Sequence, residues 1–247
     1  MPMTQWHLGR TFSKAGNKRE DVLMTRLLLF DFDGTLYRGD DPFRFYAQAM
    51  AKHMTPEDGA RYLAQVSAHL GGDSSVVAGD NWEAVVKLAE PIIPDHDVWQ
   101  AAFLETREFM MSSECQLEVS PLLLDFLRQV RHRVAVVVAS NSPEQAALPL
   151  MEKLGLTPYF DRIFSQANKP LGLVTIVNQV MDGKPFAPEQ VYSVGDNYKN
   201  DIEPAVERGW LTAHISPHGY FPGPSTVRGR SIEEVLPDVA AWALGSS

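Results

Sequence analysis

Three short runs in this chain are almost wholly apolar: Leu27 to Phe32, Val134 to Ala139 and Val191 to Val194. Each is bounded by turn-forming residues, as expected of parallel strands buried on both faces. Arg162 to Ser165 and Thr212 to Ile215 are weaker strand candidates of the same kind. Helical periodicity fills the intervals, over Pro121 to Arg131, Pro143 to Leu154, Leu171 to Met181 and Ile202 to Arg208. Strands alternating with helices predict an α/β fold, a doubly wound parallel sheet with right-handed crossovers. Gly155 and Gly209 stand where helix C-caps are expected.

One interval breaks the alternation. Residues 38–117 show helical periodicity over Phe43 to His53, Pro56 to Leu70, Trp82 to Ala89 and His96 to Met111, and no convincing strand. An insertion of about eighty residues is large enough for a helical subdomain, with turns at Gly71-Gly72 and at Pro91 and Pro94. The expected organisation is thus an α/β core of residues 25–37 and 118–247, with a helical unit of residues 38–117 inserted. Residues 1–24 are polar and read as a loosely ordered extension. Met24 stands directly before the first strand, so a start-codon artefact is a second explanation for that extension. The segment His218 to Pro224, HGYFPGP, reads as a rigid aromatic loop near the last strand.

Composition narrows the partners. At 247 residues and 45% apolar, the chain has enough material for a sizeable core. A net charge of −9 argues against a nucleic-acid or anionic-membrane partner, while leaving an anionic small substrate open. The single cysteine, Cys115, excludes an internal disulfide and a cysteine-built zinc site, and fits a reducing cytoplasm. No window approaches the roughly 18 apolar residues of a membrane span, and the N-terminus lacks the apolar stretch of a secretory signal. A cytoplasmic location without membrane association is expected; oligomeric state is not legible.

In a doubly wound sheet, ligands bind beyond the carboxyl ends of the strands. After the first run comes Asp31-Phe32-Asp33-Gly34-Thr35. In an extended segment Asp31 and Asp33 project to the same side; two carboxylates so close repel, and a hard divalent cation such as Mg²⁺ relieves that cost. Gly34 permits a sharp turn, and Thr35 can bond back to the loop. An Asx turn would explain one of the aspartates but not both. After the second run, Ser140-Asn141-Ser142 offers a hydroxyl and backbone N–H groups as a phosphate cradle. The same segment also reads as a plain helix start, with Ser142 as N-cap and Pro143 at the first helical position. Lys169 precedes a helix start, where the dipole disfavours a cation; a carboxylate or phosphate partner would explain it, although a solvated lysine is the commoner case. Asp196, directly after the fourth candidate strand, is placed to complete a metal site, and Asp201 to orient Asp196, Lys169 or a water, or simply to cap a helix.

Taken in order, DFDGTL, VVVASNS, the lysine of NKP and SVGDNYKND resemble the four motifs of the haloacid dehalogenase-like (HAD) superfamily, over nearly everything from Leu27 onward. The resemblance implies a Rossmannoid core with a C1-type helical cap, and a Mg²⁺-dependent phosphatase acting on a small phosphorylated metabolite. It implies Asp31 as the nucleophile that becomes an aspartyl-phosphate and Asp33 as general acid and base. Mg²⁺ would be held by Asp31, Asp196 and the carbonyl of Asp33. Ser140 and Lys169 would bind the phosphoryl oxygens, with the backbone N–H groups of Phe32, Asp33 and Asn141 as further donors. Asp201 and Thr35 would support these groups. The family's dehalogenases lack a carboxylate at the position of Asp33, so this residue points to phosphoryl transfer. A phosphomutase and a catalytically silent phosphometabolite-binding member are the alternatives. Arg38, Asp40, Asp41, Arg44 and Tyr46 are either substrate contacts or a solvated hinge and first cap helix.

Overall fold

A computed structural model of the chain describes residues 26–73 and 76–245. The N-terminal extension expected over residues 1–24 lies outside the described residues. The chain divides into two compact units, one of residues up to Leu36 together with Ser120 onward, the other Tyr37–Val119.

In chain order the elements begin with β1 (Leu27–Phe30). The helical unit holds α1 (Asp41–Ala51), α2 (Pro56–Leu70), α3 (Asn81–Ala89) and α4 (His96–Met111). Then come α5 (Pro121–Val130), β2 (Ala135–Ala139), α6 (Glu144–Lys153), β3 (Arg162–Phe164) and α7 (Leu173–Val180). The chain continues with β4 (Val191–Gly195), α8 (Glu203–Val206), β5 (Leu211–Ile215), β6 (Val227–Gly229) and α9 (Ile232–Leu244).

The strands form one parallel sheet in the order β3-β2-β1-β4-β5-β6. β1 lies in the interior, with Leu29 opposite Val137 on one side and Ser193 on the other. Leu27, Leu29 and Val137 pack against Leu173, Ile176 and Val177 of α7. Their neighbours in sequence, Leu28, Phe30, Val136 and Val138, are equally buried. Burial on both faces is why these strands are apolar without alternation. The switch in strand order falls between β1 and β4, with β2 on the other side of β1, so the ends of β1, β2 and β4 lie side by side at the crevice.

Two details at the strand ends differ from expectation. β1 stops at Phe30, not Phe32, because the Phe32 carbonyl accepts from Thr35 and Leu36 N–H in a turn that Gly34 completes at φ 84°. Helix α6 starts at Glu144, with Pro143 in the N-cap position at ψ 148° and its carbonyl accepting from Ala147 N–H at 2.9 Å. Ser142 therefore does not cap that helix. The strand β6 and the helix α9 escaped the sequence reading. Gly155 and Gly209 both take the left-handed conformation expected after a helix.

Within the helical unit, α1 packs against α2, α3 and α4 around Phe43, Tyr46, Met50, Tyr62, Val66 and Val85. The ends of the insertion are tied together by an antiparallel bridge between Arg38 and Glu118 and a guanidinium–carboxylate pair between the same residues. No helix among the described residues is long and apolar enough to cross a membrane.

Leu29 is 1% exposed at the centre of the sheet. Leu29→Ala is expected to lower unfolding free energy by about 2–5 kcal/mol in a denaturant titration; a loss below about 1 kcal/mol would contradict this placement of the core.

Candidate active site

Asp31, Asp33 and Thr35 follow β1, Ser140 and Asn141 follow β2, Lys169 lies on the loop after β3, Asp196 follows β4 directly and Asp201 sits in the helical turn Tyr198–Ile202 beyond it. Asp31 follows β1 directly, and its N–H continues the strand ladder by donating to the Val194 carbonyl at 2.9 Å. That backbone bond ties the β1 end to β4. Asp196 follows β4, and the approach is so close that a Cβ on Gly34 would lie 2.2 Å from Asp196 Oδ2. A Cβ on Gly195 would similarly lie 2.4 Å from Asp201 Cβ. Two glycines are thus the condition for carboxylates from two loops to share one space.

Lys169 joins them. Its ammonium, with the side chain 3% exposed, donates to Asp31 Oδ1 and Asp201 Oδ1, each at 2.5 Å. Asp201 is held in turn, since its second carboxylate oxygen accepts from Asn197 N–H at 3.2 Å and its carbonyl accepts from the Ser193 hydroxyl at 2.8 Å. The loop carrying Lys169 is fixed by Asn141, whose side-chain oxygen accepts from Lys169 N–H at 2.7 Å and whose amide donates to the Lys169 carbonyl at 3.1 Å. Asn141 thus clamps the lysine's backbone through its side chain. Thr35 donates its hydroxyl to Asp31 Oδ2 at 3.3 Å.

Asp33 faces a different set of groups. Its Oδ2 accepts from the Ser142 hydroxyl at 2.7 Å and lies 3.5 Å from the Ser140 hydroxyl. Ser140 Oγ also accepts from Ser142 N–H at 3.1 Å. Ser142 is therefore the site residue that sequence reasoning missed. The serine-proline pair is also a common helix start, and only the observed cap at Pro143 separates the two roles. By contrast, the five residues named near the start of the insertion are engaged within the helical unit. Arg38 pairs with Glu118, Arg44 with Asp40 at 3.5 Å, and Asp41 accepts from Gln116 N–H at 2.8 Å. Tyr46 is a core residue whose hydroxyl donates to the Trp99 carbonyl at 3.2 Å.

The electrostatics follow from burial. Desolvation pushes the Asp31 carboxyl up to about 7; Lys169 opposes this, while the charges of Asp201 and Asp33 reinforce it. For Lys169, burial by itself lowers the ammonium, yet Asp201 and Asp31 overcome that and hold it above its ordinary range. Asp31, Asp196 and Asp201 each offer an oxygen within 4.8 Å of the others. Three carboxylates against one ammonium leave two negative charges, and the donors are hard oxygens, a set that fits a divalent cation of the Mg²⁺ kind.

A carboxyl raised in the folded state binds a proton that the unfolded chain has already lost. Its contribution to stability is present below the ordinary carboxyl value and disappears as pH rises through about 7. A cation on Asp31 must displace that proton, so apparent Mg²⁺ affinity is expected to increase between pH 6 and pH 8 in calorimetric titrations; an affinity that stays flat or falls would contradict it. Lys169→Met, which removes the central cation, is expected to lower metal-free stability by about 3–5 kcal/mol at pH 8. The loss should be smaller at pH 5, where the Asp31 carboxyl is protonated; equal stability to wild type at pH 8 would contradict the bridging role.

Residues 25–207 match the family model described as haloacid dehalogenase-like hydrolase. Phosphoglycolate phosphatase 1 of Pseudomonas aeruginosa is 27% identical over 222 residues, covering 87% of this chain and 75% of that protein. The magnesium-bound HAD-hydrolase YfnB of Bacillus subtilis superposes with a TM-score of 0.58 at 19% identity, over 87% of this chain and 98% of that one. The L-2-haloacid dehalogenase RSc1362 superposes at 0.55 and 18% identity, over 87% and 98%. At such identities the solved structures show a shared fold. The family match covers most of the chain and includes the ends of β1, β2 and β4 and the Lys169 loop, and the protein belongs to the haloacid dehalogenase-like hydrolases.

Proposed function

We propose that this hydrolase is a Mg²⁺-dependent phosphatase that cleaves a small phosphomonoester through an aspartyl-phosphate on Asp31. The observation that carries this reading is Asp33, a second carboxylate two residues beyond Asp31 and held by the Ser142 hydroxyl at 2.7 Å. Dehalogenation needs no acid at that position, whereas transfer of a phosphoryl group to Asp31 needs a proton for the departing alkoxide.

In this mechanism a carboxylate oxygen of Asp31 attacks phosphorus, the ester bond breaks, and Asp33 gives its proton to the leaving oxygen. Asp33 then takes a proton from water as that water attacks the aspartyl-phosphate, releasing inorganic phosphate and restoring the Asp31 carboxylate. Ser140 and Lys169 bind phosphoryl oxygens, with the N–H groups of Phe32, Asp33 and Asn141 as further donors, so that developing charge meets dipoles already in place. A Mg²⁺ ion held by Asp31, Asp196 and the Asp33 carbonyl would offset the repulsion between an anionic nucleophile and an anionic substrate. Asp201 and Thr35 keep Lys169 and Asp31 in position, as their hydrogen bonds indicate.

The helical unit is assigned the part of a cap that selects among substrates, and a cytoplasmic location is in keeping with the lone cysteine. The naming of the Pseudomonas relative makes phosphoglycolate the first substrate to try, within a panel of sugar phosphates and nucleotides.

Hydrolysis of a generic aryl phosphate is expected to require Mg²⁺, and Asp31→Asn to lower turnover by about a thousandfold or more with the fold intact. Asp33→Asn should slow it by about 10²–10⁴-fold. Near-normal turnover by Asp31→Asn, or no Mg²⁺-dependent turnover on any phosphate ester, would overturn the proposal.

A further inference from the structure

The aromatic loop HGYFPGP and the histidine of β5 have no part in the chemistry so far, yet they meet behind Asp196. His214 sits in β5 directly opposite Gly195 in the sheet register and is 2% exposed. Its Nε2 lies 3.1 Å from the Asp196 carbonyl oxygen. A carbonyl only accepts, so the ring proton must be on Nε2. Among the described residues the other nitrogen, Nδ1, is buried without a hydrogen-bond partner, so there the bond to Asp196 is the hydrogen bond that orients this ring.

The ring is wedged between two others. Tyr198 lies at 5.5 Å and 52° on one side, and Phe221 meets it edge-on at 5.3 Å and 84°. Arg228 covers Phe221 at 5.4 Å from its centroid. Gly223 seats the loop against Tyr198, for a Cβ there would lie 1.9 Å from the tyrosine oxygen. The loop base is anchored by Ser216, whose N–H donates to the Gly229 carbonyl at 2.8 Å and whose hydroxyl accepts from Tyr220 N–H at 3.0 Å. A buried imidazole clamped by two rings is a costly way to fill space next to a glycine, but an effective way to hold one carbonyl.

We infer that His214 is a positioning residue for the cation site, its Nε2–H fixing the Asp196 backbone so that the carboxylate converges on Asp31 and Asp201, with the 216–224 loop acting as the clamp. The inference rests on the proposal that Asp196 binds Mg²⁺. Supporting groups of this kind are worth about 10–100-fold in metal affinity when removed.

The test uses the full chain with Mg²⁺ alone as probe. His214→Phe keeps an aromatic ring between Tyr198 and Phe221 but loses the donor; His214→Gln places an amide N–H near the position of Nε2. Calorimetry should show Mg²⁺ affinity reduced on the order of tenfold in His214→Phe and partly restored in His214→Gln. The half-saturating Mg²⁺ in aryl phosphate hydrolysis should rise in parallel, while KM for the ester at saturating Mg²⁺ changes little. Wild-type affinity in a folded His214→Phe protein, or a loss that His214→Gln does not relieve, overturns the inference. If His214→Phe does not fold, ring ¹⁵N spectra of the wild-type protein decide. Protonation on Nε2, with a resonance that moves on Mg²⁺ addition, supports it, and protonation on Nδ1 or no response to a bound ion overturns it. Absence of Mg²⁺ binding by the wild type would instead defeat the underlying proposal.

Discussion

A buried ammonium between two carboxylates is the interaction on which the site depends. Carboxylates gathered at the ends of adjacent strands are poorly solvated and mutually repulsive, and a chain that places them there must supply compensating charge. Lys169 provides part of it, donating to Asp31 and Asp201 at 2.5 Å from a loop that Asn141 holds from two directions. One cation does not balance three carboxylates. The charge left over is of the sign and size that a divalent cation held by these carboxylates would offset. The electrostatic cost of gathering the carboxylates would then become attraction for such an ion.

The fold's part is to bring these groups together cheaply. β1 lies between β2 and β4, so residues distant in sequence leave the sheet within a few ångströms of each other. Backbone bonds, Asp31 N–H to Val194 and Ser140 N–H to Phe164, extend the ladders to the site residues themselves. Side chains fixed at the ends of such strands lose little further freedom when they engage a substrate, which is the basis of preorganised catalysis. The sheet does not choose the chemistry; that choice rests on whether a carboxylate stands at position 33 and what holds it.

Much of this was legible in the sequence, because it follows from local rules. Apolar runs without alternation marked β1, β2 and β4, and the residues directly after them, Asp31, Ser140 and Asp196, needed only the rule that ligands sit at strand ends. What stayed hidden depends on contacts between segments far apart. β6 is three residues with an arginine at its centre and owes its place to pairing with β5, so no apolar run announces it. Ser142 looked like a helix cap because serine before proline is one; its hydroxyl turns to Asp33, 109 positions away. His214 reads as an ordinary polar residue in a strand, and only register opposite Gly195 reveals its carbonyl partner.

Covalent phosphorylation of Asp31 is the most direct test of the proposed chemistry. Asp33→Asn protein would be mixed with a phosphomonoester and Mg²⁺, quenched in acid and digested, and the phosphorylated peptide identified by mass spectrometry. One phosphoryl group on Asp31, removable by hydroxylamine and absent when Asp31 is also replaced, is the result expected. A label on any other residue, or turnover of the ester with no phosphoryl group ever found on Asp31, would contradict it.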